Sequence, residues 1–320
     1  MNYKIYSPED FPAYLPKLNT LYDDLFSGGK GFRSKLISLV SEPLAVPLAT
    51  QNLLAQTIEF IHNASLLHDD LVDRSALRRG KTTAWLKHTP EYAVLAGDYL
   101  LARVMVNLSS FGNIKLVQYT SETISDLLEG EWLQDSVVKD FEVTVDQLDR
   151  IHNLKTASLF KWCLRAPFIS LDNYKTELHF LLSEMGTILG QLFQRSDDLL
   201  DYDIRNDEGK AVLGDLKSGY LNSFGAFLHQ TLSPSQKQQF IKAQTLRDVY
   251  QVYSDDVIKG QVLFQQQVER FDVINKKLID LYEHHLENLE MQIGPEQKKL
   301  IAHLKPLTEI LYWRRKPTGK

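Results

Sequence analysis

The sequence predicts an all-α protein, and three observations carry that prediction. Its 320 residues include only 11 prolines, with none between Pro90 and Pro167, Pro167 and Pro234, or Pro234 and Pro295. A proline inside a helix costs about 3 kcal/mol, so stretches of that length are free to be helical. Apolar residues recur three or four apart, the spacing of one helix face. No alternating apolar run is closed by Asn-Gly or Asp-Gly, so hairpin signals are nearly absent.

Taken in order, the first thirty residues read as loop and short helix, broken by Pro8, Pro12 and Pro16 and closed by Ser27-Gly28-Gly29. A helix is predicted over roughly 48–73, where Leu54, Ile58, Ile61, Ser65 and Leu66 share a face before the basic turn Arg78-Arg79-Gly80. Further helices are expected near 90–110, 116–137, 145–164, 173–204, 218–231 and 235–285. No Gly/Ser linker or low-complexity tract interrupts them, so residues 1–320 read as a single domain.

Composition narrows the function. Hydrophobic residues at 43% and charged residues at 24% fit a globular chain rather than a disordered one. A formal net charge of −5 argues against nucleic acid as a partner, because phosphate backbones are gripped by clustered Lys and Arg. Cys163 is the one cysteine, so no internal disulfide can form. The start lacks a basic segment followed by an apolar run, and no apolar run approaches ~18 residues. A cytoplasmic protein is expected, with transient contact at a membrane surface left open.

Two segments carry the chemistry: Ser65-Leu66-Leu67-His68-Asp69-Asp70-Leu71-Val72-Asp73 and Leu192-Phe193-Gln194-Arg195-Ser196-Asp197-Asp198-Leu199-Leu200-Asp201. Each is an apolar helix ending in Asp-Asp-x-x-Asp. Helical residues four apart lie within about 40° of each other, so Asp69 and Asp73 point the same way with Asp70 beside them, and Asp197, Asp201 and Asp198 repeat the pattern. Like charges so placed weaken a helix, and Mg²⁺ is the natural compensation, a hard cation that takes carboxylate oxygens and keeps positions for phosphate. One such triplet is ordinarily a solvated acidic helix end; two, each on an apolar helix, point to a shared metal-binding function. His62 and Gln194 fall on the same stripes as the aspartates. Cations lie near in sequence: Lys30, Arg33, Arg78, Arg79, Lys155 and Lys210, of which arginine suits bidentate phosphate binding.

These residues resemble the trans-prenyl (polyprenyl) diphosphate synthases. The resemblance runs from Gly28 to about Gly219, in family order. It comprises Gly-Gly-Lys-x-x-Arg at 28–33, Ile-His-x-Ala-Ser-Leu-Leu-His-Asp-Asp-x-x-Asp at 61–73 and Arg-Arg-Gly-Lys-x-Thr at 78–83. Gly-Asp-Tyr at 97–99, Gly-Glu at 130–131, Lys-Thr-Ala at 155–157, Phe-Gln-x-x-Asp-Asp-x-x-Asp at 193–201 and Gly-Lys at 209–210 follow. The resemblance implies a bundle of long helices around a deep central cavity, of isoprenoid synthase type, in a homodimer. It implies that Asp69, Asp70, Asp73, Asp197 and Asp198, with Asp201 in support, hold Mg²⁺, with Mn²⁺ as an alternative ion. Arg78, Lys155 and Lys210 are then expected on the allylic diphosphate, and Lys30, Arg33, His62 and Arg79 on isopentenyl diphosphate. Thr156 and Gln194 are expected beside the developing allylic cation.

There are departures. The family usually has Gly-Gly-Lys-Arg-x-Arg-Pro, where this chain has Gly31 and Ser34; Tyr220 stands where a second lysine is usual, and Leu213 where a glycine is expected. A class I terpene cyclase and a non-catalytic subunit of a synthase are the rival readings; Lys30, Arg33 and the intact second triplet favour the synthase. Ile61, Ala64 and Ser65 stand where the family sets chain length, and their small size predicts a product of twenty carbons or more. The C-terminal Arg314-Arg315-Lys316 reads either as an inert basic tail or as a segment closing over diphosphates or touching anionic lipid.

Overall fold

A computed structural model of the chain describes residues 10–20, 31–78, 80–203, 212–294 and 297–314. Lys30, Arg79 and Lys210 lie outside them, as do Arg315 and Lys316. The described residues are all-α, as the proline gaps and helical spacing predict, apart from a two-stranded hairpin pairing Leu77–Arg78 with Lys81–Thr82. That hairpin forms at the expected basic turn, around Gly80 with φ +76°.

Helix ends follow local chemistry. Leu48–Val72 begins directly after Pro47. Pro90–Phe111 carries proline in its first turn, is capped by Thr89, whose side chain accepts from the Tyr92 amide, and stops at Gly112 with φ +88°. Ile114–Ser136 and Thr176–Leu200 lie close to their expected spans.

Three expectations are corrected. The helix expected near 145–164 runs as Val145–His152, a π-helical Asn153–Ala157 and Ser158–Ser170, passing through Pro167 because Phe168 and Ile169 beyond it are buried. The 218–231 stretch is two helices, Gly214–Ser218 and Ser223–Thr231, separated by Gly219 at φ +86° and capped anew by Asn222. The long helix expected over 235–285 is Pro234–Phe240, Leu246–Tyr253 and Val257–Ile293, because the Thr245/Asp248 capping box starts one fresh helix and Asp256, whose Oδ1 accepts from the Ile258 and Lys259 amides, starts the next.

By their contacts the residues form two compact units, each assembled from separated stretches. The first comprises Met1–Leu127, Ser158–Gly186 and Leu289–Leu304. Here Leu48–Val72 packs on Pro90–Phe111 and Phe32–Ser41, burying Leu36, Ile37, Leu54, Ile58, Phe60, Leu100 and Val104. Each such side chain contributes about 1.5–3 kcal/mol. Buried Asp10 accepts from Arg103 (2.9 Å), Asn107 (3.0 Å) and Gln56 (2.5 Å), tying the start of the described chain to two of these helices.

The second unit comprises Leu128–Ala157, Thr187–Asn288 and Lys305–Lys320. Its core includes edge-on contacts of Phe224 with Tyr202 (5.1 Å) and Phe264 (5.8 Å). Buried Arg195 binds Asp149 at 2.6 Å and Asn275 at 2.7 Å, and Asn275 in turn donates to the Tyr312 hydroxyl. A buried cation is tolerated only with such partners, so this network holds the second aspartate helix against Val145–His152, Val257–Ile293 and Leu307–Trp313.

Candidate functional site

In the first unit the Leu48–Val72 helix ends on its aspartates. The Asp73 amide still donates to Asp69 O at 2.8 Å, so the helical turn persists through the triplet. Asp69 is half-buried, Asp73 exposed and Asp70 buried. The chain then folds back: Ser75 N donates to Asp70 O (2.9 Å) and Thr83 Oγ1 to Ser75 O (2.7 Å). This return brings the hairpin to Asp70, whose Oδ1 accepts from Arg78 Nε at 2.8 Å and Nη2 at 2.5 Å. Arg78 is therefore the built-in counter-ion of Asp70.

His62 is half-buried on the same helix, and Ser65 donates to the His62 carbonyl at 2.9 Å. Ile61 and Ala64 are fully buried and Ser65 only partly so. Arg33 sits in the first turn of Phe32–Ser41.

In the second unit the π-helical segment presents Lys155 and Thr156. Two glycines make room for it: a Cβ on Gly130 would fall 2.9 Å from the Lys155 amide, and one on Gly190 2.4 Å from Ala157 Cα. Lys155 pairs with Glu131, the acid of the Gly-Glu dipeptide. Thr156 Oγ1 donates to Gln194 Oε1 at 3.1 Å, and Gln194 Nε2 donates to Asp198 Oδ1 at 3.0 Å. The Gln194 amide is thus oriented with its oxygen toward Thr156, and the hydroxyl keeps its lone pairs for other use.

Asp198 is buried, and its Oδ2 accepts from the Ser223 amide at 2.8 Å and from the Ser223 hydroxyl. Burial pushes its carboxyl up to about 6, against the opposing pull of those hydrogen bonds. Asp201 accepts from the Gly214 amide at 2.7 Å through Oδ1, while its Oδ2 is buried without a hydrogen-bond partner. Burial, reinforced by the nearby Asp215 carboxylate, holds its carboxyl well above the usual range. The turn that caps Asp201 includes Leu213 at φ +58°, the position where the resemblance led to glycine; the left-handed backbone persists without it. Asp197 is engaged by Arg314, whose guanidinium carbon also lies 4.0 Å from the Phe193 ring centroid. Arg314, the first residue of the basic C-terminal stretch, thus packs on the second aspartate helix.

Sequence reasoning did not single out Ser223, Glu131 as the partner of Lys155, or Arg314 as the partner of Asp197. Residues 222–223, expected inside a helix over 218–231, gave no sign of Asp198, and residues 117 positions apart carry no pairing signal.

The residues suit a magnesium or manganese ion in kind. All six are hard oxygen donors, one buried carboxylate oxygen lacks a partner, and two carboxylates already attract arginines. Among the described residues no three acidic, His or Cys side chains converge to hold an ion unaided. Mg²⁺ does not demand that, being held by one or two carboxylates plus phosphate oxygens and water.

The polyprenyl synthetase family profile matches residues 15–256. Octaprenyl diphosphate synthase of Escherichia coli (strain K12) is 37% identical over 193 residues, 60% of this chain and 59% of that protein. Chloroplastic solanesyl-diphosphate synthase 2 of Oryza sativa subsp. japonica is 36% identical over 216 residues, 65% of this chain and 53% of that protein. The chain thus spans between half and two thirds of the length of these relatives. The crystal structure of a decaprenyl diphosphate synthase from Rhodobacter capsulatus matches with a TM-score of 0.79 at 26% identity, over 93% of this chain and 91% of that one.

Proposed function

The chain belongs to the polyprenyl synthetase family, and on that footing we propose that it joins isopentenyl diphosphate head to tail to an allylic diphosphate, giving a product of twenty carbons or longer. The observation that carries the proposal is the hydrogen-bonded series Thr156–Gln194–Asp198 beside the Lys155–Glu131 pair, which joins the π-helical segment to the helix that carries the second triplet. It supplies fixed oxygen dipoles and a cation next to carboxylates suited to a divalent ion.

The assignments are these. Asp69, Asp70, Asp73, Asp197, Asp198 and Asp201 would hold Mg²⁺ or Mn²⁺, which when bound neutralises charge on the departing diphosphate. Arg78 and Lys155 bind the allylic diphosphate, with Lys210; Lys30, Arg33, His62 and Arg79 bind isopentenyl diphosphate. Arg78 and Lys155 rest on Asp70 and Glu131, so each has an acidic partner to exchange for phosphate oxygens. Thr156 Oγ1 and Gln194 Oε1 stabilise the allylic cation as the carbon–oxygen bond breaks. The isopentenyl double bond then attacks that carbon, and the released diphosphate takes the proton lost as the new double bond forms.

We further propose a single catalytic domain over 1–320, a bundle around a deep cavity, whose floor is set by Ile61, Ala64 and Ser65. The family match spans residues of both compact units, which supports one domain. A homodimer is part of the proposal, supported by large apolar residues left exposed, Leu95 (69%), Ile114 (73%) and Trp132 (77%) among them. Cytoplasmic residence is part of the same proposal. No helix among the described residues is long and apolar enough to cross a membrane, and transient contact with a membrane surface remains part of the reading through the basic C-terminus.

The test is to incubate the purified protein alone with Mg²⁺, labelled isopentenyl diphosphate and allylic primers, and to read product mass. A linear prenyl diphosphate of twenty carbons or more is expected. A cyclic hydrocarbon formed without isopentenyl diphosphate, or no product without a partner chain, overturns the proposal.

A further inference from the structure

The peptide linking Arg33 to Ser34 is held at both of its polar atoms. Its N–H, on Ser34, donates to Glu59 Oε1 at 3.1 Å, and its carbonyl, on Arg33, lies 3.8 Å from the Cys163 thiol. Ser34, Glu59 and Cys163 are all buried. Both partners come from other helices, Leu48–Val72 and Ser158–Ser170.

The local sequence explains why this clamp is needed. The first amides of a helix have no intrahelical acceptor and are ordinarily met by a Ser, Thr, Asp or Asn side chain at the cap. Here the cap is Gly31, at φ +54°, with no side chain to offer. The Ser34 hydroxyl turns back to Gly31 O at 2.9 Å and so does not serve the amides either. Glu59 therefore supplies from 25 residues away the acceptor that the cap lacks. Its carboxylate also sits favourably at the positive end of the helix dipole. On the other side, the Phe32 and Phe160 rings lie 6.0 Å apart, and the Arg33 guanidinium carbon is 6.0 Å from the Phe160 centroid. Arg33 thus leaves the helix from a backbone fixed by Glu59 and Cys163 and over an aromatic ring.

We propose that Glu59 is a positioning residue for isopentenyl diphosphate binding, acting through the Ser34 amide to set the direction of Arg33. Glu59 touches no substrate itself. This rests on the assignment of Arg33 above, and it separates Glu59 from the allylic half of the reaction.

The test compares Glu59→Met, which cannot accept a hydrogen bond, with Glu59→Gln, whose amide oxygen still can. Glu59→Met is expected to raise KM for isopentenyl diphosphate about tenfold, the size of one lost charge-assisted hydrogen bond. KM for the allylic primer and kcat stay within about twofold, and Glu59→Gln recovers most of the loss. Glu59→Asp is the second variant: it keeps a buried carboxylate but is one methylene shorter, so it withdraws from the Ser34 amide and raises the same KM. Should Glu59→Met not fold, Glu59→Asp carries the test alone. Calorimetric titration with isopentenyl diphosphate supplies the readout independent of turnover, and the variants should bind about tenfold more weakly than wild type. Equal changes in both KM values, or an active wild type whose variants keep its KM, overturns the role of Glu59 alone. A wild type that neither turns over nor binds isopentenyl diphosphate overturns the proposed function with it.

Discussion

Gly190 lies against Ala157 so closely that a Cβ added to it would fall 2.4 Å from the Ala157 Cα and Cβ. The two helices meet at backbone contact here, one turn from the Thr156–Gln194 hydrogen bond of 3.1 Å. Neither backbone can yield as a flexible side chain would. Gly190→Ala is therefore expected to lose about 1–3 kcal/mol of stability and to lower kcat more than it raises either KM. Chemical denaturation and steady-state kinetics check it; an unchanged midpoint would show that the helices separate freely.

Arg78 neutralises a buried carboxylate. Arg78→Met leaves Asp70 without its guanidinium, at a cost of about 1–2 kcal/mol once the partial exposure of Arg78 is allowed for. The loss should shrink when Mg²⁺ is added, because the ion takes over as counter-charge. Thermal unfolding with and without Mg²⁺ distinguishes this from a packing defect, which metal would not mend.

Arg314 occupies Asp197. A chain ending at Trp313 frees that carboxylate, so Mn²⁺ should bind the substrate-free protein about two- to fivefold more tightly, the scale of one partly exposed ion pair. Paramagnetic resonance titration of free Mn²⁺ measures it. Equal affinity in both forms means that Arg314 does not compete for the site.

Ser65 is small and partly open, one helical turn before Asp69. Ser65→Phe should shorten the main product by at least one five-carbon unit, read by mass spectrometry of the dephosphorylated alcohols. The same product from both proteins removes Ser65 from the floor of the cavity.

His152 is buried beside Asp149, Arg195 and Lys155, and burial drives its imidazole down to about 4, opposed by Asp149 and assisted by the two cations. The unfolded chain binds a proton near pH 6.5 that the folded chain refuses until about pH 4. Stability from this group is therefore complete above pH 6.5 and is lost as pH falls toward 4, about 3 kcal/mol in all. His152→Phe removes the titration and should flatten that part of the stability–pH curve by this amount. Denaturant midpoints between pH 7 and pH 4 provide the comparison.

The triplets and the long helices were legible because each is a local pattern: carboxylates four apart, apolar residues three or four apart, prolines far apart. Breaks within 235–285 were equally local, written in Thr245/Asp248 and Asp256, but continuous helical periodicity masked them. Partners distant in sequence were not legible. Nothing near Asp198 announces Ser223, nothing near Asp197 announces Arg314, and Gly190 inside a helix reads only as a cost until Ala157 is placed against it. The same holds for Leu213, whose left-handed backbone is imposed by the turn that caps Asp201 rather than by residue preference.

The wide turn at Asn153–Ala157 has a consequence for how this chain tolerates change in length. A π turn holds one residue more than an α turn, so trimming that residue would leave a continuous helix with an ordinary hydrogen-bond ladder. Because the extra residue of a π turn is absorbed by its wider circle, the helix on either side of the cut would keep its facing. Asp149 would still reach Arg195, and Leu148 would stay in the interior. Gaps are ordinarily absorbed in loops; here the backbone of a helix would absorb one, at the expense of the turn that presents Lys155 and Thr156.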